Sequence, residues 1–307
     1  MTKKVLVTGA SGFIGKHCLP SLIARGYEVH AVTSKTLPLS PIEYITWHRA
    51  DLLDTHNTVS LLADIQPSHL LHLAWFALPD QYWVSPENIR WVQASLTLFE
   101  EFARWQGRRL VVAGTCAEYD WRFGYCAEGV TPLAPSQLYG VCKHALHLMT
   151  DAWACHTELS LAWGRIFFLY GPHEYKERLV PSVIESLLDK QLALCSHGKQ
   201  IRDYLYVEDA AEALVALLDS ELQGAVNIAS GIPLSVRDLV STVADLLASH
   251  ELIRFGARPA SKSEQPLLVA DVRRLTDELG WQPACTLESG LAQTIDWWKQ
   301  QRTVNPQ

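Results

Sequence analysis

Short apolar runs and longer segments of helical spacing alternate along the first half of the chain. The run Lys4-Val5-Leu6-Val7-Thr8 stops at a glycine, as a buried parallel strand does. Similar runs at 27–33, 44–48, 70–75, 109–115 and 159–170 predict further strands. Because strands that alternate with helices form parallel βαβ units, the pattern predicts an α/β fold with a doubly wound parallel sheet.

Three helices are predicted between these strands. The first begins near Ser11 and stops before Gly26. The second covers Pro86 to Trp105, with Trp91, Leu98, Phe99 and Phe102 at helical spacing. The third runs from Gln137 to His156, with Ser136 as its N-cap.

The regular alternation ends at Pro172, and the later elements are shorter and less evenly spaced. We therefore expect a dinucleotide-binding domain at 1–171, with 202–231 partly returning to its sheet. Residues 172–201 and 232–303 would then form a smaller C-terminal α/β domain that binds substrate.

Composition excludes several classes of protein. Hydrophobic residues make up 48% of the 307 residues and charged ones 19%, which is typical of a globular protein. The net charge of -7 has no long basic run, so nucleic acid and anionic membranes are not expected as partners. No apolar stretch approaches the ~20 residues that span a bilayer. Seven scattered cysteines without metal-type spacing predict reduced thiols, no metal site and a cytoplasmic location.

The first predicted strand leads into Gly9, Gly12 and Gly15, which recur at every third residue. Gly9 would allow a tight turn, Gly12 a close approach of backbone to pyrophosphate, and Gly15 close packing of helix on sheet. The helix that follows would direct its free N–H groups at the phosphates. The alternative is a glycine-rich turn without a ligand. The motif favours a Rossmann-like dinucleotide site.

Residues with small or polar side chains stand at the carboxyl ends of the predicted strands, where such sheets bind ligands. They are Thr8-Gly9, Thr33, Asp51, Ala74 and Thr115. The second strand ends in Thr33-Ser34-Lys35 without a carboxylate, which favours NADP(H) over NAD(H) because a 2′-phosphate accepts charge-assisted hydrogen bonds. Lys35 as a solvated loop residue is the alternative. Asp51 either accepts from the adenine amino group or caps the next helix.

Tyr139 and Lys143 lie one turn apart on the third predicted helix. A phenol has a pKa of ~10, and a neighbouring ammonium favours the phenolate, so the pair could move a proton beside a nicotinamide. An exposed helix face is the other interpretation of this spacing.

Taken together these motifs resemble the extended short-chain dehydrogenase/reductase family, in its nucleotide-sugar epimerase, dehydratase and reductase branch. Besides the residues above, the resemblance includes Asp51-Leu52, Tyr170-Gly171-Pro172, Arg202 to Asp209, Asn227 to Gly231 and Leu279-Gly280-Trp281. It implies a catalytic set of Thr115, Tyr139 and Lys143. It also implies a coenzyme site formed by Gly9, Ser11, Gly12, Phe13, Ile14, Gly15, Thr33, Ser34, Lys35, Asp51, Leu52, Leu73, Ala74, Tyr139 and Lys143.

The same resemblance implies a substrate site of Thr115, Cys116, Phe168, Arg178 and Arg202. Arg202 would grip the diphosphate of a nucleotide sugar; a surface ion pair with Asp203 is the alternative. Several positions depart from the family. Cys116 and Ala117 replace the acid and base of the 4,6-dehydratases, and Arg178 replaces a lid histidine of GDP-fucose synthases. Phe168 and Trp91 each stand where the family has asparagine.

These departures favour an NADPH-dependent reductase of a nucleoside-diphosphate 4-keto-6-deoxyhexose, in which Tyr139 donates the proton and Thr115 orients the ketone. A nucleotide-sugar 4-epimerase with tightly bound NAD is the alternative. A non-catalytic dinucleotide sensor is a third hypothesis. The resemblance also implies a homodimer formed by the helices at 86–105 and 137–156, with Leu98, Phe99, Phe102 and Trp105 at the interface.

Overall fold

The computed structural model describes residues 3–37, 44–259 and 265–304. The strands in these ranges are, in chain order, β1 (Lys4–Thr8), β2 (Glu28–Thr33), β3 (Ile45–Arg49), β4 (His69–His72), β5 (Arg109–Thr115), β6 (Tyr125–Cys126), β7 (Ser160–Ile166), β8 (Phe168–Tyr170), β9 (Ala193–Leu194), β10 (Ile201–Tyr206), β11 (Gly224–Ile228), β12 (Pro233–Ser235), β13 (Ile253–Arg254) and β14 (Leu267–Ala270).

The α-helices of the same ranges are α1 (Phe13–Ala24), α2 (Thr55–Ile65), α3 (Glu87–Arg104), α4 (Leu138–Ala154), α5 (Leu179–Leu188), α6 (Val207–Asp219), α7 (Val236–Leu246) and α8 (Leu287–Val304). The first helix begins at Phe13, close to Ser11 as expected, with Gly12 as its extended N-cap. One predicted N-cap was wrong. The cap residue of α4 is Gln137 instead of Ser136, and its side chain makes no capping hydrogen bond.

Seven parallel strands form the main sheet, in the order β11-β7-β5-β4-β1-β2-β3. The order runs outward from β1 in both directions, which confirms the doubly wound fold. Strand β11, at one edge of the sheet, comes from the segment 202–231 that was expected to return to this sheet. The division into two domains remains a prediction.

Both faces of this sheet are covered, because successive side chains of each strand point to opposite sides. Val5 and Val7 of β1 pack in a buried cluster with residues of α1 and α6. Leu6, between them, belongs to a second cluster with residues of α2, α3 and α4. The sheet edge at the carboxyl ends of the strands is therefore the face left for ligands.

A second sheet has the order β12-β10-β14-β6. Strands β12 and β14 pair with the first residues of β10, and β8 pairs with its last residues, 204–206. The single strand predicted at 159–170 is wrong, because the chain leaves the main sheet after Ile166 and pairs through β8 with β10. A third buried cluster joins α5, α7 and α8 to this region. Strand β10 thus connects the second sheet to β8, which directly follows β7 in the chain.

Candidate active site

The loop between β1 and α1 is shaped by two glycines. Gly9 has φ +67, and a Cβ there would lie 2.8 Å from the backbone nitrogen of Ala74. A Cβ on Gly15 would lie 2.2 Å from the carbonyl oxygen of Gly9, so the helix can approach the loop only without a side chain. Gly12 caps α1 and offers no side chain to its first N–H groups, which leaves a helix N-terminus suited to an anion. Phe13 and Ile14 open the helix, both half-buried.

The ends of β2 and β3 hold the residues expected around the adenosine. Thr33 Oγ1 lies 2.8 Å from Ser11 Oγ and accepts from the backbone N–H of Lys35 at 3.1 Å, while the side chains of Ser34 and Lys35 are exposed. Asp51 is also exposed, and its Oδ1 accepts from the Leu53 N–H at 3.0 Å. Its alternative role as a helix cap was wrong.

The N-cap of α2 is Asp54, which accepts from the His56 N–H. Asp51 therefore caps no helix and lies exposed just after β3. Leu52 beside it is buried, as is Ala74 after β4, and Leu73 is half-buried.

Thr115 and Tyr139 meet at the end of β5. The hydroxyl of Thr115 hydrogen-bonds the phenol of Tyr139, and it also accepts from the Ala117 N–H at 3.2 Å. Tyr139 lies in the first turn of α4, where its N–H donates to the carbonyl of Trp83 at 3.1 Å. Burial raises the pKa of Tyr139, and the hydrogen bond from Thr115 opposes that rise. The two hydroxyls are placed to share one oxygen atom of a bound substrate.

Lys143 lies one turn further along α4 and is only 3% exposed. Its Nζ donates to the carbonyl of Ala113 at 2.7 Å and lies 3.8 Å from the ring centroid of Trp75. Burial lowers its pKa to about 7, against the opposing charge of Glu118. An ammonium has three donors, so the bond to Ala113 leaves two for a ribose hydroxyl.

Aromatic rings enclose Tyr139. The Tyr82 ring meets it edge-on at 4.9 Å between centroids, and the Trp83 ring does so at 5.8 Å. Both rings belong to the segment between β4 and α3, which sequence reasoning left unassigned. The density of aromatic residues between Trp75 and Trp83 was the available signal. Such rings exclude water from the phenol, which is consistent with its raised pKa.

The predicted substrate residues approach this phenol from three elements. Cys116 follows Thr115 and is buried, and burial raises the pKa of its thiol. The Arg178 guanidinium lies 5.3 Å from the Tyr82 ring centroid. The Arg202 guanidinium lies 5.5 Å from the Phe168 ring centroid, and its positive charge partly opposes the burial that raises the pKa of Cys116.

Arg202 is 7% exposed, so its alternative assignment as a surface residue was wrong. The Asp203 carboxylate accepts from the N–H groups of Ser230, Gly231 and Ala270. Asp203 thereby ties β10 to the loop after β11 and to β14. The Arg178 guanidinium thus lies against the Tyr82 ring and that of Arg202 against the Phe168 ring.

A buried charge pair supports the end of β5, and sequence reasoning missed it. Glu118 is fully buried; its Oε1 accepts from the Thr115 N–H at 2.8 Å and from Trp163 Nε1 at 2.9 Å. Its Oε2 accepts from Arg165 Nε at 3.0 Å. Arg165 Nη1 also donates to the Tyr119 hydroxyl at 3.1 Å, and that hydroxyl donates to Asn227 Oδ1 at 2.8 Å. No local pattern signals a partner 47 residues away.

Glu118, His144 and His147 have ligand atoms within 4.8 Å of one another, the one such group with metal-binding potential in the part of the chain that the structure describes. The Arg165 guanidinium lies among them, 3.0 Å from Glu118 and 3.3 Å from His147. A cation would have to displace that positive charge, so the donor set fits an ion pair and not a metal.

A glycine loop before a helix, a hydroxyl pair and a buried lysine at one sheet edge define a Rossmann-type dinucleotide-dependent enzyme of the short-chain dehydrogenase/reductase class. The model of the NAD dependent epimerase/dehydratase family matches residues 5–229. The chain belongs to this family, within the nucleotide-sugar branch of the extended short-chain dehydrogenases/reductases, which confirms the resemblance seen in the sequence.

Relatives in this family differ in their reactions. UDP-glucuronic acid decarboxylase 1 of Xenopus tropicalis is 28% identical over 97% of this chain and 73% of its own length. The dTDP-glucose 4,6-dehydratase of Xanthomonas campestris pv. campestris is 28% identical over 97% of this chain and 93% of its own. The structure of MoeE5 in complex with UDP-glucuronic acid and NAD is 31% identical, covers 97% of this chain and 99% of that chain, and superposes with a TM-score of 0.84.

Among the described residues, none of the helices combines the length and the hydropathy that crossing a membrane requires.

Proposed function

We propose that this protein reduces a nucleoside-diphosphate 4-keto-6-deoxyhexose with NADPH. The observation that carries the proposal is the pair of Thr115 and Tyr139 hydroxyls, in a site whose two dehydratase acid and base positions carry no carboxylate. Cys116 and Ala117 hold the positions of the dehydratase acid and base, and both oxygens of Glu118 are engaged by protein donors. Reduction of a ketone requires only a hydride and one proton, so this site has the groups that it needs.

The coenzyme supplies the hydride when it is bound. Thr115 would orient the ketone oxygen, and Tyr139 would give that oxygen its proton as the C–H bond forms. Burial raises the pKa of Tyr139, so the phenol holds its proton at neutral pH and can serve as the acid. Lys143 would bind the ribose and supply positive charge near the phenol. Arg178 and Arg202 suit the anionic part of a nucleotide sugar.

The residues present fit a dinucleotide, because the cradle of Gly9, Gly12 and Gly15 has no room for side chains. Two lysines support the NADP(H) preference. Repulsion by Lys35 contributes, after burial, to the lowered pKa of Lys16, so both side chains add positive potential near the loop. A bound 2′-phosphate would be attracted by that potential. MoeE5 binds NAD, which makes NAD(H) the alternative coenzyme.

The second candidate is a 4-epimerase with tightly bound NAD. It would use the same Thr115, Tyr139 and Lys143, and the engaged hydroxyl of Thr33 supports it, because that hydroxyl already bonds Ser11 and the Lys35 N–H. An exposed Lys35 would then make no coenzyme contact.

One experiment separates the two candidates. The purified protein is denatured, and the supernatant is analysed for nicotinamide coenzyme. A separate portion of the native protein is assayed with UDP, GDP, CDP and dTDP sugars, both 4-keto-6-deoxyhexoses and hexoses that carry a C4 hydroxyl. A reductase oxidises NADPH in proportion to product. An epimerase instead releases bound NAD and turns over substrate without added reductant. A protein that binds coenzyme but does neither would support the non-catalytic sensor, against which the Thr115–Tyr139 pair argues.

A homodimer through α3 and α4 belongs to the same proposal. These helices pack on each other, and α4 exposes Val141, Leu148 and Met149 at 44%, 55% and 43%. The residues expected at the interface were wrong in part, because Leu98, Phe99 and Phe102 are core residues at 0–1% exposure. Light scattering of Leu148→Glu should give a monomer mass if the dimer forms here.

All seven cysteines are free, which supports a location in a reducing compartment such as the cytoplasm.

A further inference from the structure

Asn88 is a fully buried amide in the first turn of α3. Its Oδ1 accepts from Trp75 Nε1 at 2.8 Å. Its Nδ2 donates to the carbonyls of Tyr82 at 2.7 Å and Ser85 at 2.9 Å. Both donors and one acceptor site of the amide are therefore used, and all three partners belong to the segment between β4 and α3.

Two of those partners contact the catalytic pair. The Trp75 ring faces the Lys143 ammonium at 3.8 Å, a cation–π distance, and the Trp91 ring lies 6.2 Å from it between centroids. The Tyr82 ring meets Tyr139 edge-on at 4.9 Å. The Asn88 amide thus binds the Trp75 indole, which faces the Lys143 ammonium. It also binds the backbone carbonyl of Tyr82, whose ring packs on the Tyr139 phenol.

We propose that Asn88 is a positioning residue of the active site, which acts on Lys143 through the Trp75 indole and on Tyr139 through Tyr82. The proposal rests on the proposed function only in that Tyr139 and Lys143 are the catalytic pair. It holds equally for a reductase and an epimerase.

The physical argument concerns a buried cation. Lys143 has one hydrogen bond to protein, to Ala113, and it is desolvated. The face of an indole attracts such a cation most strongly when water is excluded. That attraction depends on the orientation of the ring, which the Asn88 hydrogen bond fixes. The other titratable groups near Lys143 are Glu118 and His72, together with Tyr139 on its own helix.

The test uses the full-length, coenzyme-free protein with Asn88→Leu, Trp75→Phe and the double variant. The pH midpoint of Lys143 is followed by NMR of protein whose lysine side chains carry a ¹³C label, because the buried amine is not open to a reagent. Its signal is assigned with Lys143→Arg. In Asn88→Leu the ring remains, so burial persists, but its orientation is lost and the ammonium is less stable. The midpoint should therefore fall by about 0.5 units or more, roughly a threefold change in the proton equilibrium.

Trp75→Phe keeps the fold and removes the indole N–H, so it should shift the midpoint in the same direction. The double variant should shift it little further, because both changes break one link. The matched control is Thr294→Val, which removes a hydrogen bond to the Gly290 carbonyl at another fully buried position, on α8 and outside the hydrogen bonds of Glu118. Its midpoint should stay within about 0.2 units of the parent's, a less than twofold change.

The catalytic readout is whether the substitution changes kcat or the coenzyme KM. Asn88→Leu should lower kcat about tenfold or more, because misplaced catalytic groups affect the transition state, and leave the coenzyme KM within about threefold. A midpoint unchanged in both Asn88→Leu and Trp75→Phe would overturn the proposal, as would an equal shift in Thr294→Val. Failure of the proposed function would appear separately, as undiminished activity of Tyr139→Phe with the Lys143 midpoint still measurable.

Discussion

Glu118 and Arg165 form a fully buried ion pair, with Arg165 Nε donating to Glu118 Oε2 at 3.0 Å and side-chain exposures of 2% and 0%. The pair joins β7 to the turn after β5. The other oxygen of the same carboxylate accepts from the Thr115 N–H. A charge buried for structural reasons therefore fixes the backbone of a proposed catalytic residue.

Arg165→Met should lower the free energy of unfolding by about 3–5 kcal/mol, because it leaves the Glu118 charge buried without its partner. Urea denaturation measures the change. The control is Arg273→Met, whose exposed guanidinium pairs with Asp271 at the surface, so its removal should change the free energy of unfolding much less. The double variant Glu118→Leu/Arg165→Met should be more stable than Arg165→Met alone. A single variant no less stable than the Arg273 control would contradict this account.

The sequence predicted the main sheet well because its strands are local apolar runs. Strand β5 was predicted to the residue, since the run Arg109–Thr115 is bounded on both sides by residues that end a strand. The strand at 159–170 was not, because the break at Phe167 depends on pairing of β8 with β10, more than thirty residues further on. Apolar periodicity contains no information about which sheet a strand joins.

The candidate site shows the same division. Glycines, Thr115, Tyr139 and Lys143 were identified because their spacing within the chain reflects the turn and helix that hold them. Glu118–Arg165 and Trp75–Asn88 could not be identified, since each is a contact across the fold between residues with no shared pattern. In the sequence, the aromatic rings around Tyr139 appeared only as a high density of aromatic residues between Trp75 and Trp83.

Gly15→Ala should abolish the thermal stabilisation by NADPH or NAD. Its Cβ would lie 2.2 Å from the Gly9 carbonyl oxygen and 2.7 Å from Ala10 Cα, both backbone atoms, so the phosphate loop must move. Thermal unfolding with each coenzyme measures the loss.

Gly26→Ala is its control, because that glycine has φ +75 and open space around it. It should cost about 1–2 kcal/mol for the left-handed conformation and leave the coenzyme shift intact. A full coenzyme shift in Gly15→Ala would exclude the loop as the binding site.

Acid should destabilise the protein through His72. Its ring lies 2.8 Å from Thr8 Oγ1 and 2.9 Å from Ser95 Oγ, and burial lowers its pKa from 6.5 to about 3. Because the folded pKa lies below the unfolded one, the unfolded state binds the proton first. The stability due to neutral His72 is complete above pH 6.5 and is lost as the pH falls toward 3.

The expected contribution is about 1.4 kcal/mol per pH unit between pH 6 and 4. Urea denaturation across that range should show a slope reduced by this amount in His72→Gln, although the variant is less stable at pH 7. His56→Gln, on the exposed side of α2, should keep the parent's slope. Equal slopes in His72→Gln and the parent protein would mean that another group carries the acid sensitivity.

Tyr139→Phe and Thr115→Val should each lower kcat/KM by about 10²–10⁴, the usual loss when a general acid or its partner is removed. The two hydroxyls are hydrogen-bonded to each other, so we expect the double variant to lose little more than the worse single one. The matched control is Tyr27→Phe, which removes another buried phenol whose oxygen donates to Asp219 at 2.9 Å, far from the sheet edge that holds the site. It should retain full activity. If Tyr139→Phe kept more than a tenth of the parent's activity while Thr115→Val did not, the proton would have to come from another donor, and the buried Cys116 thiol beside Thr115 would be the next group to replace.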